Sequence, residues 1–257
     1  MPIRLASTTF SRRFRFVWIL LVSPLFITMA SFRLQSYFFA RRVQSVLTQM
    51  KKIHVDKTTE EEVYALLPEL KPGMSWGLAK DQSPDEKCPG DACYVLNQRN
   101  WPNGILARLR GTLDNRYDWL FKTMFWLGHR FLGFRANVEI RGGRVSRYGY
   151  FLMVEDGEFP GNDAVIVQVQ GFNRKGFPGY FGFMVDYDKI GTLQIKVPSN
   201  RPTAVMYVAF TSDAQPEDQR NAFDTHLECV WNLRACSATR QLLPILWERR
   251  LAQDMRR

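Results

Sequence analysis

Apolar positions along the chain change period three times, and the changes divide it. Residues 16–32 form a run of 17 without a charged side chain, bracketed by Arg15 and Arg33. A spanning helix needs about 17–25 mostly apolar residues, so the run reaches the threshold. Beyond it Leu34, Phe38, Val43, Val46, Leu47, Met50 and Ile53 recur largely at helical spacing, so residues 16–52 read as one long helix, apolar first and amphipathic afterwards. This predicts a basic flank at 1–15, a transmembrane helix at 16–32, an amphipathic juxtamembrane helix and linker at 33–57, and a domain at 58–257.

Inside the domain, Thr58-Thr59-Glu60-Glu61-Glu62 offers a capping box ahead of a short helix that Pro68 stops, with Val63, Leu66 and Leu67 inward. Residues 71–103 are rich in Pro and Gly, with a short strand at Tyr94-Val95-Leu96. Leu106, Leu109, Leu113, Tyr117, Leu120, Met124 and Leu127 predict a helix over 104–127 that Gly128 ends. Trp119, Phe121, Phe125, Trp126, Phe131 and Phe134 lie partly off that stripe. Burial on most sides explains them; the alternative is an aromatic face resting on a bilayer or a partner.

The period then falls to two. Residues 137–146 read as a hairpin in which Gly142-Gly143 make a two-residue turn and Ile140 opposes Val145. Tyr148, Tyr150, Leu152 and Val154 continue its second strand. Val165, Val167 and Val169 mark another strand, Leu193, Ile195 and Val197 a further one, and residues 204–210, apolar on both faces, a central one. A helix follows Pro216, with Phe223, Leu227, Val230 and Trp231 on one side; Ser237 caps the next helix, and Pro244 breaks or restarts it. The expectation is an α+β domain: an antiparallel sheet of at least five strands flanked by helices.

Charge changes the picture by its placement. The net charge of +10 invites a nucleic-acid reading, but residues 1–57 hold ten Lys or Arg against one acid, leaving 25 basic and 24 acidic groups for the rest. The basicity therefore belongs to the flanks of the apolar run, where it meets anionic headgroups, and no nucleic-acid partner is expected. Arg4, Arg12, Arg13 and Arg15 outweigh Arg33, Arg41 and Arg42 slightly, favouring a cytoplasmic N-terminus. A cleaved signal peptide competes with the retained anchor, with Ala30 at the cut and Ser31 first in the mature chain.

Four cysteines allow three pairings. The expectation is the local one. Pro89-Gly90 turns the chain between Cys88 and Cys93. Cys229 and Cys236 would stand about 10 Å apart along an unbroken helix, so their bridge requires the helix to end first. An even count beside a membrane signal favours disulfides in an oxidising compartment. A zinc site lacks matching spacings and clustered histidines, and no metal or cofactor is expected.

Leu132-Gly-Phe-Arg with Val138-Glu-Ile-Arg-Gly-Gly-Arg-Val, and Cys229-x6-Cys236 with Leu243-Pro-x2-Trp247, resemble stretches of uncharacterised bacterial single-pass envelope proteins. The resemblance covers about a fifth of the chain and implies an anchored extracytoplasmic domain without supplying an activity.

Candidate chemistry is sparse. The chain has no G-x-S-x-G, H-E-x-x-H, Walker or dinucleotide motif. His54, His129 and His226 are isolated in sequence. Asp186 and Asp188, on one face if the segment is a strand, have the spacing of a two-carboxylate cation site, though a strand ending in a polar turn explains them too. The 171–183 loop carries four glycines, four Phe, Tyr180, Arg174 and Lys175, which suits a mobile aromatic lid or an anion site; an irregular hairpin explains the glycines equally well. The leading reading is a non-enzymatic binding or scaffold module, held at the membrane through residues 16–32 and facing a partner in the envelope. The other is a membrane-anchored hydrolase of envelope material with its site near the 171–183 loop.

Overall fold

The computed structural model describes residues 7–73, 88–100, 123, 126–130, 132–155, 164–173, 193–197, 205–232 and 236–254, with the side chains of the first helix described from Val22 onward. That helix, α1 (Ser7–Met50), is 44 residues long, contains no glycine and carries its one proline at Pro24. The Thr28 hydroxyl donates to the Pro24 carbonyl at 2.8 Å. No helix among the described residues is long and apolar enough to cross a membrane, and of the charge-free run only residues 22–32 have described side chains.

The second half of α1 is built into the domain. Ser36, Phe39, Ala40, Val43, Val46, Leu47 and Met50 are buried, a three–four repeat on one face. Leu34 and Phe38, which the spacing groups with this stripe, turn outward instead and are 55% and 60% exposed. The chain beyond α1 stays in the core through Ile53 and Val55. Asp56 takes φ 63°, a left-handed conformation that Asp tolerates better than most residues. Its N–H then bonds the Val145 carbonyl at 2.8 Å, and the Val145 N–H bonds the Thr58 carbonyl at 3.0 Å. Helix α2 (Glu60–Leu66) opens on the capping box between Thr59 and Glu62 and ends before Pro68.

Seven strands form one sheet: β1 (Lys71–Pro72), β2 (Ala92–Arg99), β3 (Leu132–Arg141), β4 (Arg144–Glu155), β5 (Ala164–Phe172), β6 (Gln194–Lys196) and β7 (Val205–Thr211), in the order β1-β2-β3-β4-β5-β7-β6. The sheet is mixed rather than antiparallel, because β7 inserts between β5 and the edge strand β6 and runs parallel to β5. Alternation of apolar residues shows that a strand has two faces but not which way it runs. The β3–β4 hairpin follows the expected register: Ile140 opposes Val145, Arg141 opposes Arg144, and Gly142 and Gly143 take φ 60° and 70°.

One sheet face carries the core. Phe134, Ala136, Val138 and Ile140 on β3, Tyr148, Tyr150, Leu152 and Val154 on β4, and Val165, Val167 and Val169 on β5 all point into it. α1 lies over this core, closest to β2 and to a 3-10 turn at Glu228–Val230. The C-terminal segments α3 (Pro216–Ala222), α4 (Thr239–Leu242) and α5 (Pro244–Asp254) contribute Ala222, Leu242, Leu243 and Leu246. The Phe223 ring stacks on Tyr148 at 5.1 Å, and the Tyr150 hydroxyl pairs with Thr225 at 2.7 Å.

The expected helix through Trp231 is shorter than its apolar spacing suggests. α3 stops at Ala222, and only the single 3-10 turn follows. That early stop brings the Cα atoms of Cys229 and Cys236 to 4.9 Å in a disulfide; Cys88 and Cys93 form the other, with Cα atoms 5.7 Å apart. The Pro244 break is present, as the first residue of α5. The expected 104–127 helix lies outside the described residues except at Thr123 and Trp126, both helical, and Leu127.

Open space surrounds both turn glycines, so a side chain there would meet no atom within 4 Å. Gly142→Val with Gly143→Val therefore isolates the backbone effect, and should lower stability by about 2–4 kcal/mol at 1–2 per left-handed residue. Equal denaturation midpoints for variant and wild type would contradict the turn. Each short disulfide loop should contribute about 2 kcal/mol by restricting the unfolded chain. Chemical denaturation of Cys88→Ser/Cys93→Ser and Cys229→Ser/Cys236→Ser variants checks this.

Candidate functional site

Arg174, Lys175, Asp186 and Asp188, and the 171–183 loop beyond Asn173, lie outside the described residues. The loop's first glycine has a packing explanation: a Cβ on Gly171 would stand 2.5 Å from the Phe210 ring and 2.8 Å from that of Tyr148. The histidines are not brought together. His54 is exposed on a groove between the end of α1 and α2, whereas His226 is exposed on a second groove of about 340 Å³ with Arg41, Asp224, Glu228 and Trp231. Asp224 there is already engaged, 2.6 Å from the Lys51 ammonium. His129 is fully buried. No group of three His, Cys, Asp or Glu among the described residues is arranged to hold a metal.

The concentration of polar side chains that the sequence does not announce is the second face of the sheet. Alternation places Arg135, Asn137 and Glu139 of β3, Arg147 of β4, and Gln168 and Gln170 of β5 on the side away from α1. Such a row ordinarily faces water. Here Asn137, Glu139, Arg147, Gln168 and Gln170 are all buried. Register sets their partners. Glu139 lies directly opposite Arg147, and the guanidinium Nη2 stands 2.9 Å from Oε2. Arg141 reaches Oε1 at 3.3 Å while also donating to the Pro89 carbonyl at 2.9 Å. Burial pulls the Arg147 guanidinium below its ordinary range, with Glu139 opposing that shift. Gly149 stands between Asn137 and Gln170 in the next row, where a Cβ would lie 2.1 Å from the Val169 carbonyl oxygen. The middle of the row thus carries no side chain, and the Asn137 Oδ1 beside it is buried without a hydrogen-bond partner among the described residues. The row is an interior polar layer whose carboxylate is held by two arginines.

A second polar group lies where α1 enters the domain. The Gln35 amide donates to the Asn100 carbonyl at 2.6 Å, and the Asn100 side chain accepts from the Leu132 N–H at 2.8 Å while donating to the Arg130 carbonyl. Asn100 therefore ties the end of β2 both to α1 and to the segment entering β3. The His129 ring rests 4.8 Å from that of Phe32. Burial lowers its pKa to about 4, helped by the charge of Arg130, so the imidazole is neutral at physiological pH.

Comparison with protein-family models, with curated proteins and with solved structures finds no match to this chain.

Sequence reasoning missed Glu139 and Arg147 because polar residues alternating with apolar ones signal a solvated face. The one available hint was their opposite charge at positions that the Gly142-Gly143 turn brings near each other across the hairpin. Arg147→Met should cost about 3 kcal/mol by leaving the buried Glu139 carboxylate to Arg141 alone, and Glu139→Leu/Arg147→Met should regain most of it. Full stability of the single variant would contradict a buried pair. His129 gives a pH dependence. Its folded pKa lies below its unfolded value, so the unfolded chain binds the extra proton and stability falls as pH drops from 6.5 toward 4. The loss should reach about 3 kcal/mol and be absent from His129→Gln. Identical pH slopes for the two proteins in denaturant titrations would refute it.

Proposed function

We propose that this chain is a single-pass membrane protein whose α+β domain serves as a binding or scaffold module on the extracytoplasmic side. The observation that carries the reading is the continuity of α1. The helix containing the charge-free 16–32 run continues without a break into the buried stripe at Ser36–Met50. A domain built on the end of its own anchor is presented at a fixed height and orientation, which suits recognition at a surface. The two disulfides support an oxidising compartment, and the arginines at 4, 12, 13 and 15 support a cytoplasmic N-terminus. The resemblance to bacterial single-pass envelope proteins bears on the anchor alone and supplies no activity. The hydrolase reading depends on Asp186 and Asp188 and draws no support from the described residues.

A reporter fused after Arg257 should behave as extracytoplasmic, and the chain should remain in the membrane fraction after high-salt washing. A soluble mature species beginning near Ser31 would overturn the anchor in favour of a cleaved signal peptide.

A further inference from the structure

As a helix, the 17-residue charge-free run is about 25 Å long at 1.5 Å per residue, short of the ~30 Å of hydrocarbon in a bilayer. α1 makes up the difference on one face only. Leu34 and Phe38 follow Ile27 along the side turned away from the domain, and all three are more than half exposed. Counted to Phe38, the apolar face is about 34 Å long. Arg33 interrupts the run in sequence but not on this face. It turns toward the domain and lies over Gly128, its Nε 3.4 Å from where a Cβ on that glycine would stand.

The domain meets the helix at the same level with side chains suited to an interface. Trp126, two residues before Gly128, is 75% exposed. Tryptophan and arginine are enriched where hydrocarbon gives way to headgroups, since each has an apolar body and a polar end. Inside this corner polar groups remain unmet. The Nε of Arg33 and the Oγ of Ser36 one turn further along α1 are buried without a hydrogen-bond partner among the described residues. The positive charge of Arg33 also reaches Arg130, whose guanidinium is lowered first by burial and then by that neighbour.

We infer that this corner of the domain is seated against the membrane surface, with Leu34 at the acyl boundary and Phe38 and Trp126 at the interface. The inference rests on the anchored reading of α1. It adds that the domain touches the bilayer instead of standing clear of it.

The test uses the full chain in nanodiscs of phosphatidylcholine and phosphatidylglycerol, with p-benzoylphenylalanine replacing Phe38, Trp126 or, as a control, Tyr64 on α2. Irradiation should yield lipid adducts at 38 and 126 and none at 64. A chain that stays in the disc without lipid adducts at 38 and 126, or that cross-links there to a second copy, overturns the inference and leaves the anchor standing. Release of the chain by alkaline carbonate overturns both.

Discussion

The buried stripe of α1 from Ser36 to Met50 is the element on which the domain depends, because it is continuous with a segment of entirely different character. Phe39, Val43, Val46, Leu47 and Met50, with Ile53 just beyond, are all within the core. Burying six such side chains is worth roughly 9–18 kcal/mol at about 1.5–3 each, less whatever the unfolded chain already buries. That is comparable with the whole net stability of a typical domain, about 5–15 kcal/mol. The folded unit therefore includes the helix that leads into it, and the direction of that helix fixes how the sheet is presented. A flexible linker between the apolar run and the domain would leave the two free to rotate; the unbroken helical stripe does not.

The sheet meets opposite demands on its two faces. Toward α1 the packing is apolar and aromatic, with Tyr148, Tyr150, Phe210 and Phe223 in mutual ring contact. On the other face a buried carboxylate is held by Arg147 and Arg141 among amide side chains. Replacing such a pair with apolar residues often leaves a fold no less stable, so its presence is weak support for a stabilising role. Its partners are instead fixed by the register of β3 and β4, which sets Glu139 opposite Arg147.

Much of this organisation is legible in the sequence where a single local rule decides it. The Thr59–Glu62 capping box, the Gly142-Gly143 turn with Ile140 opposite Val145, and the local cysteine pairs all depend on residues a few positions apart. Features set by distant partners are not legible in the same way. Nothing in the alternation of residues 204–210 shows that β7 enters between β5 and β6, and the helical spacing of Phe223, Leu227 and Val230 persists although α3 stops at Ala222. Leu34 and Phe38 fit the buried stripe by approximate spacing yet face outward, because a helix turns 100° per residue and small phase errors accumulate. Gln168 and Gln170 read as solvated because the pattern shows a face without showing what covers it. Of the candidate site residues, the four cysteines were identified from sequence, whereas Glu139, Arg147 and Asn137 required the register of the sheet.

The account stands or falls on α1 being a core element continuous with the apolar run. Amide hydrogen exchange on the full chain measures this directly, since amides that open only on global unfolding exchange together at the slowest rates. The account predicts that amides of residues 39–50 exchange with those of β4 and β5, in the slowest class, and that protection continues back through residues 33–38 without a gap. Fast exchange across 33–50, or a rapidly exchanging break between the apolar run and residue 39, would show a hinged tether and contradict it.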